Sequence, residues 1–275
     1  MDLKAIARRA LPVPAYRMYR RWRVQRMVAG FAPRLVTHVY GGVELRIALE
    51  DPLGEGWYDH DWAPLPEITF LAPRFLRPGA RVFDVGAHQG VVALMLADAV
   101  GGQGRVVAVE AAPHNARLAR RNCELNGVSN VEVVGAAIAS TSGSAFVPTE
   151  LNAHVEHTAG PGLSHVPAVT IDELADRHGT PDVVLLDVEG GELAALRGAT
   201  RTLREPRCAW VVEVHAGEGL EDAGGTADEV FDELRRPGHD LYAAPGDGNP
   251  GDFRPLDSAD HAITAQRFFV AAVPA

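Results

Sequence analysis

The sequence predicts an α/β protein built on an open sheet with helices between its strands. Three observations carry that expectation. A buried strand runs into a helix through a glycine-bearing turn at residues 81–100, strand and helix patterns then alternate as far as residue 235, and acids close several of the strands. The chain has 275 residues, 47% of them hydrophobic, which is enough for one large core or two small ones.

The elements follow in order. Residues 1–28 carry Lys4, Arg8, Arg9, Arg17, Arg20, Arg21, Arg23 and Arg26 against Asp2 alone, with Leu3, Ile6, Tyr16, Tyr19, Trp22 and Met27 interleaved. This reads as a basic amphipathic helix. It could dock on an anionic membrane surface or an acidic carrier, or pack on the acidic body of its own fold or of a dimer mate. Leu35 to Ile47 alternates on both sides of Gly41-Gly42, as a hairpin does. A loop holding Trp57, Tyr58, His60 and Trp62 follows; its rings could line a pocket for a sugar or macrocycle, or wedge the N-terminal part against the core. Glu67 opens a short helix over 67–76. Residues 1–66 are expected to form a cap and 67–275 the main domain.

In the main domain, strand one is Arg81 to Val85, with a helix from Val91 to Val100. Strand two is Val106 to Glu110, and a helix from Pro113 to Asn126 has proline in its first turn and Gly127 past its end. Strand three is Val131 to Val134. A small strand near Ser144 to Val147 leads into a loop over 148–166 with His154, His157 and His165. Thr170 and Glu173 form a capping box on the helix 171–177. Strand four (Val183 to Asp187), a helix from Glu192 to Leu203, strand five (Cys208 to Val214) and a helix from Thr226 to Arg235 follow. Leu241 to Ala244 and Gln266 to Val270 complete the strands, around a Gly/Pro-rich loop long enough to be functional.

The turn after strand one identifies the ligand class. Dinucleotide enzymes place G-x-G-x-x-G there, because backbone must approach a pyrophosphate. This chain has D-x-G-x-x-x-G, with Asp84, Gly86 and Gly90. A carboxylate repels phosphate but suits an ammonium and a sulfonium, which S-adenosylmethionine carries. Glu110, about 20 residues on, ends strand two, where an acid accepts hydrogen bonds from ribose hydroxyls. The alternatives are a nicotinamide- or flavin-binding oxidoreductase with an incidental aspartate, or a methyltransferase fold kept as a binding protein without catalysis.

Strand four ends with Asp187, Glu189 and Glu192 nearby, and strand five with Glu213 and His215 at period-two spacing. Transfer of a methyl group to a hydroxyl needs the hydroxyl proton removed and an in-line approach. Asp187 or His215 could be the base, with Glu213 beside them. In a second reading Asp187, Glu213 and His215 hold Mg²⁺ through their oxygens and imidazole.

The bulk numbers exclude several classes. A net charge of −10 argues against nucleic acid as the partner. There is no apolar run near 18 residues and no signal-peptide pattern, so no membrane span is expected. Cys123 and Cys208 offer neither metal-ligand spacing nor a disulfide framework, which suits a reducing cytoplasm.

The ordered set D-V-G-A-H-Q-G, V-V-A-V-E-A-A-P with Leu118, Asn122 and Asn126, T-I-D-E-L, L-L-D-V-E-G-G-E and V-E-V-H resembles the FkbM family of S-adenosylmethionine-dependent methyltransferases, over about Glu67 to His215. The resemblance implies a class I methyltransferase fold, with a seven-stranded sheet of order 3-2-1-4-5-7-6 whose last strand is antiparallel. It also implies O-methylation of a hydroxyl on a natural product or glycan. By position it implies cofactor contacts at Glu67, Asp84, Gly86, His88, Gly90, Glu110, Ala111, Ala137 and Asp187, with Asp187 to Glu189 beside the reacting centre. His88 stands where the family usually has Asn, Ala111 replaces the proline after the ribose acid, and Leu185 stands where a lysine is common.

Overall fold

The computed structural model describes residues 22, 26–72, 74–148, 163–217, 219–245, 253–256 and 267–274. Most of the basic segment expected at residues 1–28, and the loop residues 149–162, 246–252 and 257–266, lie outside them.

The main sheet is built from β3 (Arg81–Val85), β4 (Arg105–Glu110), β5 (Val131–Gly135), β9 (Val183–Leu186), β10 (Ala209–Val214), β11 (His239–Pro245), β12 (Arg254–Pro255) and β13 (Phe268–Pro274). Its spatial order is β5-β4-β3-β9-β10-β13-β11-β12. In the strand numbering used above, the first seven read 3-2-1-4-5-7-6. β13 is antiparallel to both neighbours, whereas β3, β4, β5, β9 and β10 pair in parallel. The short β12 adds an eighth strand to the seven expected.

Apolar side chains cover both faces, as a parallel sheet requires. Phe83, Val85, Val107, Val184, Leu186, Trp210 and Val212 face one side, against α5 (Ile171–His178), α6 (Glu192–Arg197) and α7 (Ala227–Arg235). Val82, Val106, Ala108, Val183, Leu185 and Val211 face the other, against Ala93, Leu96, Ala97 and Val100 of α3 (Val91–Val100). Cys123 lies in α4 (Pro113–Leu125); it and Cys208 are buried free thiols.

Several elements differ from the sequence expectation. The small strand β7 (Gly143–Pro148) does not join the main sheet; it pairs with β8 (Leu163–Val169), and β6 (Ala137–Ile138) completes a separate three-stranded sheet. His165 therefore sits in a strand and not in the expected loop. The helix expected over 192–203 ends at Arg197 with Gly198 as its C-cap, a position where a Cβ would lie 2.3 Å from the Ala139 carbonyl oxygen; a short 3₁₀ turn, Thr202–Arg204, follows. Thr170 does cap α5 through the Glu173 N–H, but the Glu173 carboxylate turns to Ser142 and Arg177, so the capping box is half formed. β13 starts at Phe268 and continues to Pro274, past the expected end at Val270.

The N-terminal part packs on the helices of the sheet. β1 (Arg34–Tyr40) and β2 (Val43–Leu49) form the hairpin, with Gly41 and Gly42 at φ +58° and +97°. Tyr40, Ile47 and Leu49 bury against Val91, Leu94, Met95 and Cys123 of α3 and α4. The aromatic stretch expected as a loop holds a helix, α1 (Pro52–Tyr58), because Asp51 caps it through the N–H groups of Leu53 and Gly54 and Pro52 takes the first turn. The next helix, α2, is shorter than expected and covers Pro66–Leu71.

One contact sets the geometry of the strand ends. Gly86 has φ +94°, and a Cβ there would lie 1.6 Å from the Asp187 carbonyl oxygen. The Asp187 N–H in turn donates to the Val85 carbonyl at 2.9 Å. Gly86→Ala should therefore destabilise the fold by at least about 2 kcal/mol, since backbone is the obstacle. Gly79, at φ +87° with nothing within 4 Å of a Cβ, is the control: Gly79→Ala should cost only the local strain of about 1 kcal/mol. Denaturant midpoints of the two variants check the difference.

Candidate functional site

The carboxyl ends of β3, β4 and β9 open on a cleft of about 630 Å³ including its mouth. Trp57, Gly86, His88, Glu110, Ala111, Asp187 and Glu189 are among the residues lining it.

At the β3 end, Asp84 is buried, and its Oδ2 has no protein partner. Burial pushes its carboxyl up to about 7, with the nearby Asp187 and Glu67 charges adding to the effect. Glu67, on α2, is likewise raised to about 7 by burial and by Asp187. Glu110 at the β4 end organises the turn: it accepts from the His88 N–H at 2.9 Å and the Ala112 N–H at 2.7 Å. Burial still raises its carboxyl to about 7 against those hydrogen bonds. His88 takes a left-handed φ of +46°. Its Nδ1 meets the Tyr58 hydroxyl at 2.7 Å, and burial lowers its ring to about 4, so it is neutral.

At the β9 and β10 ends a second group converges. His215 is 1% exposed, and its Nδ1 lies 2.7 Å from Glu192 Oε1, a fully buried carboxylate that also accepts from the Gly190 N–H at 2.8 Å. Its Nε2 lies 3.5 Å from Glu189 and 3.7 Å from Asp187. Burial alone would lower this imidazole; the Glu192 hydrogen bond and charge, then Asp187 and Glu189, raise it to about 9. Glu189 reaches this position from a left-handed φ of +50°, ahead of Gly190, where a Cβ would meet the Gly219 backbone at 2.6 Å. The crowded cleft floor, then the Glu213 charge, hold the Asp187 carboxyl well above its usual range, although half of that side chain is open. Glu213 is raised by burial and restrained by Arg267, which it pairs at 2.9 Å.

The residues singled out in the sequence divide accordingly. Gly86, His88, Glu110, Ala111 and Asp187 line the cleft. Asp84 and Glu67 act on it electrostatically. Gly90 does not line it: it caps α3 at φ +82°, and a Cβ there would meet Ala119 of α4 at 3.0 Å, so its role is helix packing. Ala137 is buried in the small sheet, and its neighbours Ala136 and Ile138 face the cleft instead. The metal set also shifts. Among the described residues, the three ligand atoms within 4.8 Å of one another belong to Asp187, Glu189 and His215, with Glu189 in the place expected for Glu213.

Glu192 was visible in the sequence only as the last acid of D-V-E-G-G-E; a spacing cannot show that it faces a histidine 23 residues on. The aromatic segment divides between the cleft and the packing of the N-terminal part. Trp57 lines the cleft, while Trp62 packs edge-on against Tyr40 and tilted on Tyr58, and the Tyr40 hydroxyl donates to the Tyr58 carbonyl, which wedges the hairpin in place.

Comparison with known proteins shows a family. A methyltransferase FkbM domain model matches residues 84–241. A ribosomal protein L11 methyltransferase of Pelotomaculum thermopropionicum is 46% identical over 65 residues, 23% of this chain and 20% of the relative. A protein-L-isoaspartate O-methyltransferase of Aeropyrum pernix is 32% identical over 169 residues, 56% of this chain and 61% of the relative. The chain thus spans between a fifth and three fifths of the length of these curated relatives. Among solved structures, a methyltransferase FkbM of Methylobacillus flagellatus aligns at a TM-score of 0.46 and 19% identity, over 70% of this chain and 43% of its own.

The buried Glu192–His215 pair has a pH signature. Because the folded imidazole is raised to about 9 from 6.5, its stabilisation is complete below about pH 6.5 and is lost as pH rises through 9. Glu192→Gln should lower the His215 pKa, read by NMR titration, and flatten the fall in unfolding midpoint between pH 7 and 9.

Proposed function

The chain belongs to the FkbM methyltransferase family, and from that membership and the acids of its cleft we propose that it methylates a hydroxyl oxygen of a natural product or glycan with S-adenosylmethionine. The observation that carries the reading is Asp84: a buried carboxyl with an unpartnered oxygen beside the cleft, in a turn with no pyrophosphate-binding glycine pattern. Such a group suits an ammonium and disfavours the phosphates of a nicotinamide or flavin cofactor. Glu110, whose oxygens already order the turn, is placed to accept from ribose hydroxyls as well.

Bound S-adenosylmethionine supplies an electrophilic methyl group on a positively charged sulfur. The chain's own residues do the rest. Asp187, its proton affinity raised by the cleft floor and Glu213, is the base we favour: it ionises once a positive charge lies beside it and then takes the acceptor hydroxyl's proton. His215 is less suited to that role, because Glu192 keeps it protonated at neutral pH; it orients Asp187 and Glu189 as a fixed cation. In-line positioning within the cleft contributes much of the remaining rate. A metal-assisted version would use Asp187, Glu189 and His215, with Glu192 orienting the imidazole from behind. The acceptor is a small molecule or glycan, and nucleic acid is disfavoured by the net charge of −10. No helix among the described residues is long and apolar enough to cross a membrane. Both cysteines being buried and unpaired supports a cytoplasmic setting.

Calorimetry with S-adenosylmethionine and S-adenosylhomocysteine tests the cofactor. Glu110→Ala should weaken binding by about 1–3 kcal/mol, and unchanged affinity would remove Glu110 from the site. Affinity should also depend on pH. Asp84 and Glu110, raised to about 7, must shed protons to serve as charged acceptors, so binding should weaken below pH 7 by roughly tenfold per pH unit for each such proton. A flat profile between pH 6 and 8 contradicts that assignment.

Product analysis with a methyl-labelled cofactor should find the label on oxygen; label on nitrogen or carbon, or no transfer to any acceptor, refutes the proposed reaction. Activity should survive exhaustive EDTA treatment, and Asp187→Asn should lower turnover by about 10²–10⁴-fold with little loss of cofactor affinity. An enzyme dead after EDTA and revived by a divalent cation selects the metal-assisted version.

A further inference from the structure

Among the cleft-lining residues, His88 carries a side-chain polar atom, Nε2, that is buried without a hydrogen-bond partner. The residue is 8% exposed, and its ring sits 4.8 Å from that of Trp57 at the cleft wall. A buried donor or acceptor left unmatched is costly, and at a binding cleft it marks where a ligand atom belongs.

The chemistry of that atom follows from its surroundings. Tyr58 is buried, and its hydroxyl meets His88 Nδ1 at 2.7 Å. Among the described residues, Nδ1 is the partner that this hydroxyl meets, so a phenol proton aimed anywhere else would be left buried without an acceptor. The phenol proton needs an acceptor of its own, and Nδ1 is within reach. Tyr58 therefore donates and Nδ1 accepts. A neutral imidazole carries one N–H, so its proton is on Nε2. The ring is held by the Tyr58 hydroxyl and by Trp57 packed against it, on a backbone whose N–H donates to Glu110. Tyr58 itself is anchored: it ends α1, whose cap Asp51 accepts from the Gln89 side chain at 2.8 Å and lies 2.9 Å from His114 Nε2.

We propose that Tyr58, from the N-terminal part of the chain, holds His88 as its Nε2–H tautomer, and that this N–H donates a hydrogen bond to an oxygen of S-adenosylmethionine, its carboxylate or a ribose hydroxyl. The proposal rests on the reading that the cleft binds this cofactor. A donor at this point turns away the cofactor's ammonium, which Asp84 takes, and so orients the ligand along the turn. His88 and Tyr58 thereby act as a specificity pair, His88 by contact and Tyr58 as a positioning residue.

Two measurements on the full chain test it. Long-range ¹H–¹⁵N NMR of histidine-labelled protein reads the tautomer without any ligand, and calorimetry reads binding of S-adenosylhomocysteine and of 5′-methylthioadenosine, which lacks the carboxylate. The ligand-free protein should show the proton on Nε2, and Tyr58→Phe should lose that single tautomer. His88→Ala should weaken S-adenosylhomocysteine binding about 10–100-fold. His88→Gln, which can place an amide N–H near the former Nε2, should recover most of it. Loss confined to S-adenosylhomocysteine identifies the carboxylate as acceptor; equal loss for both ligands identifies the ribose. A proton on Nδ1 in the free protein, or wild-type affinity in His88→Ala, overturns the proposal while leaving the cofactor reading intact. Wild-type protein that binds neither ligand overturns both.

Discussion

The contact between Gly86 and the Asp187 carbonyl is the constraint on which the cleft depends. β3 and β9 pair in parallel only as far as Val85 and Leu186, and beyond that point the two chains would diverge into their helices. The absence of a side chain at Gly86 lets the backbones stay in contact for one more residue, with the Asp187 N–H still on the Val85 carbonyl. That step puts Asp84 and Asp187 within electrostatic reach of each other across adjacent strand ends. Gly86 thus has its effect by protein–protein packing; the ligand-facing polar groups of the turn come from its neighbours.

Crowded negative charge is the second feature of the site. Asp84, Glu67, Glu110, Asp187 and Glu213 all hold their protons more tightly than free carboxyls do, burial being the leading cause at Asp84, Glu67, Glu110 and Glu213 and the crowded acids of the cleft floor adding to it at Asp187. Such a cleft is strained electrostatically when empty, and a ligand bearing net positive charge relieves it. The two basic groups in the cluster are committed: Arg267 to Glu213, and His215 to Glu192 on one side and the open acids on the other. Charge selection for a cationic cofactor is therefore a property of the whole rim rather than of one residue.

The N-terminal hairpin and α1 are joined to this rim through polar contacts as well as apolar packing. Asp51 reaches Gln89, Asn122 bridges the Gln89 carbonyl and the Ala48 N–H, and Tyr58 reaches His88. The cofactor turn is thus held from two sides, by Glu110 from the sheet and by the N-terminal elements from outside it.

The strand–turn–helix at 81–100, the alternation that follows and the acids at 84, 110 and 187 were legible in the sequence, because apolar periodicity and glycine or proline punctuation are local properties. Local signals also located the hairpin at Gly41-Gly42 and the Thr170 cap. What they could not decide depends on contacts between distant segments. Gly90 and Gly86 look alike in the motif, yet one packs on Ala119 and the other on Asp187. Glu213 and Glu189 are equally plausible partners for His215 until Arg267 claims one of them and a left-handed backbone brings in the other. Glu192 becomes the orienting group only once α6 packs under β10, and His88 becomes a donor only once Tyr58 arrives from 30 residues upstream. Sequence periodicity determines which residues stand at the strand ends; which of them share a proton, a partner or an empty valence is decided by packing in three dimensions.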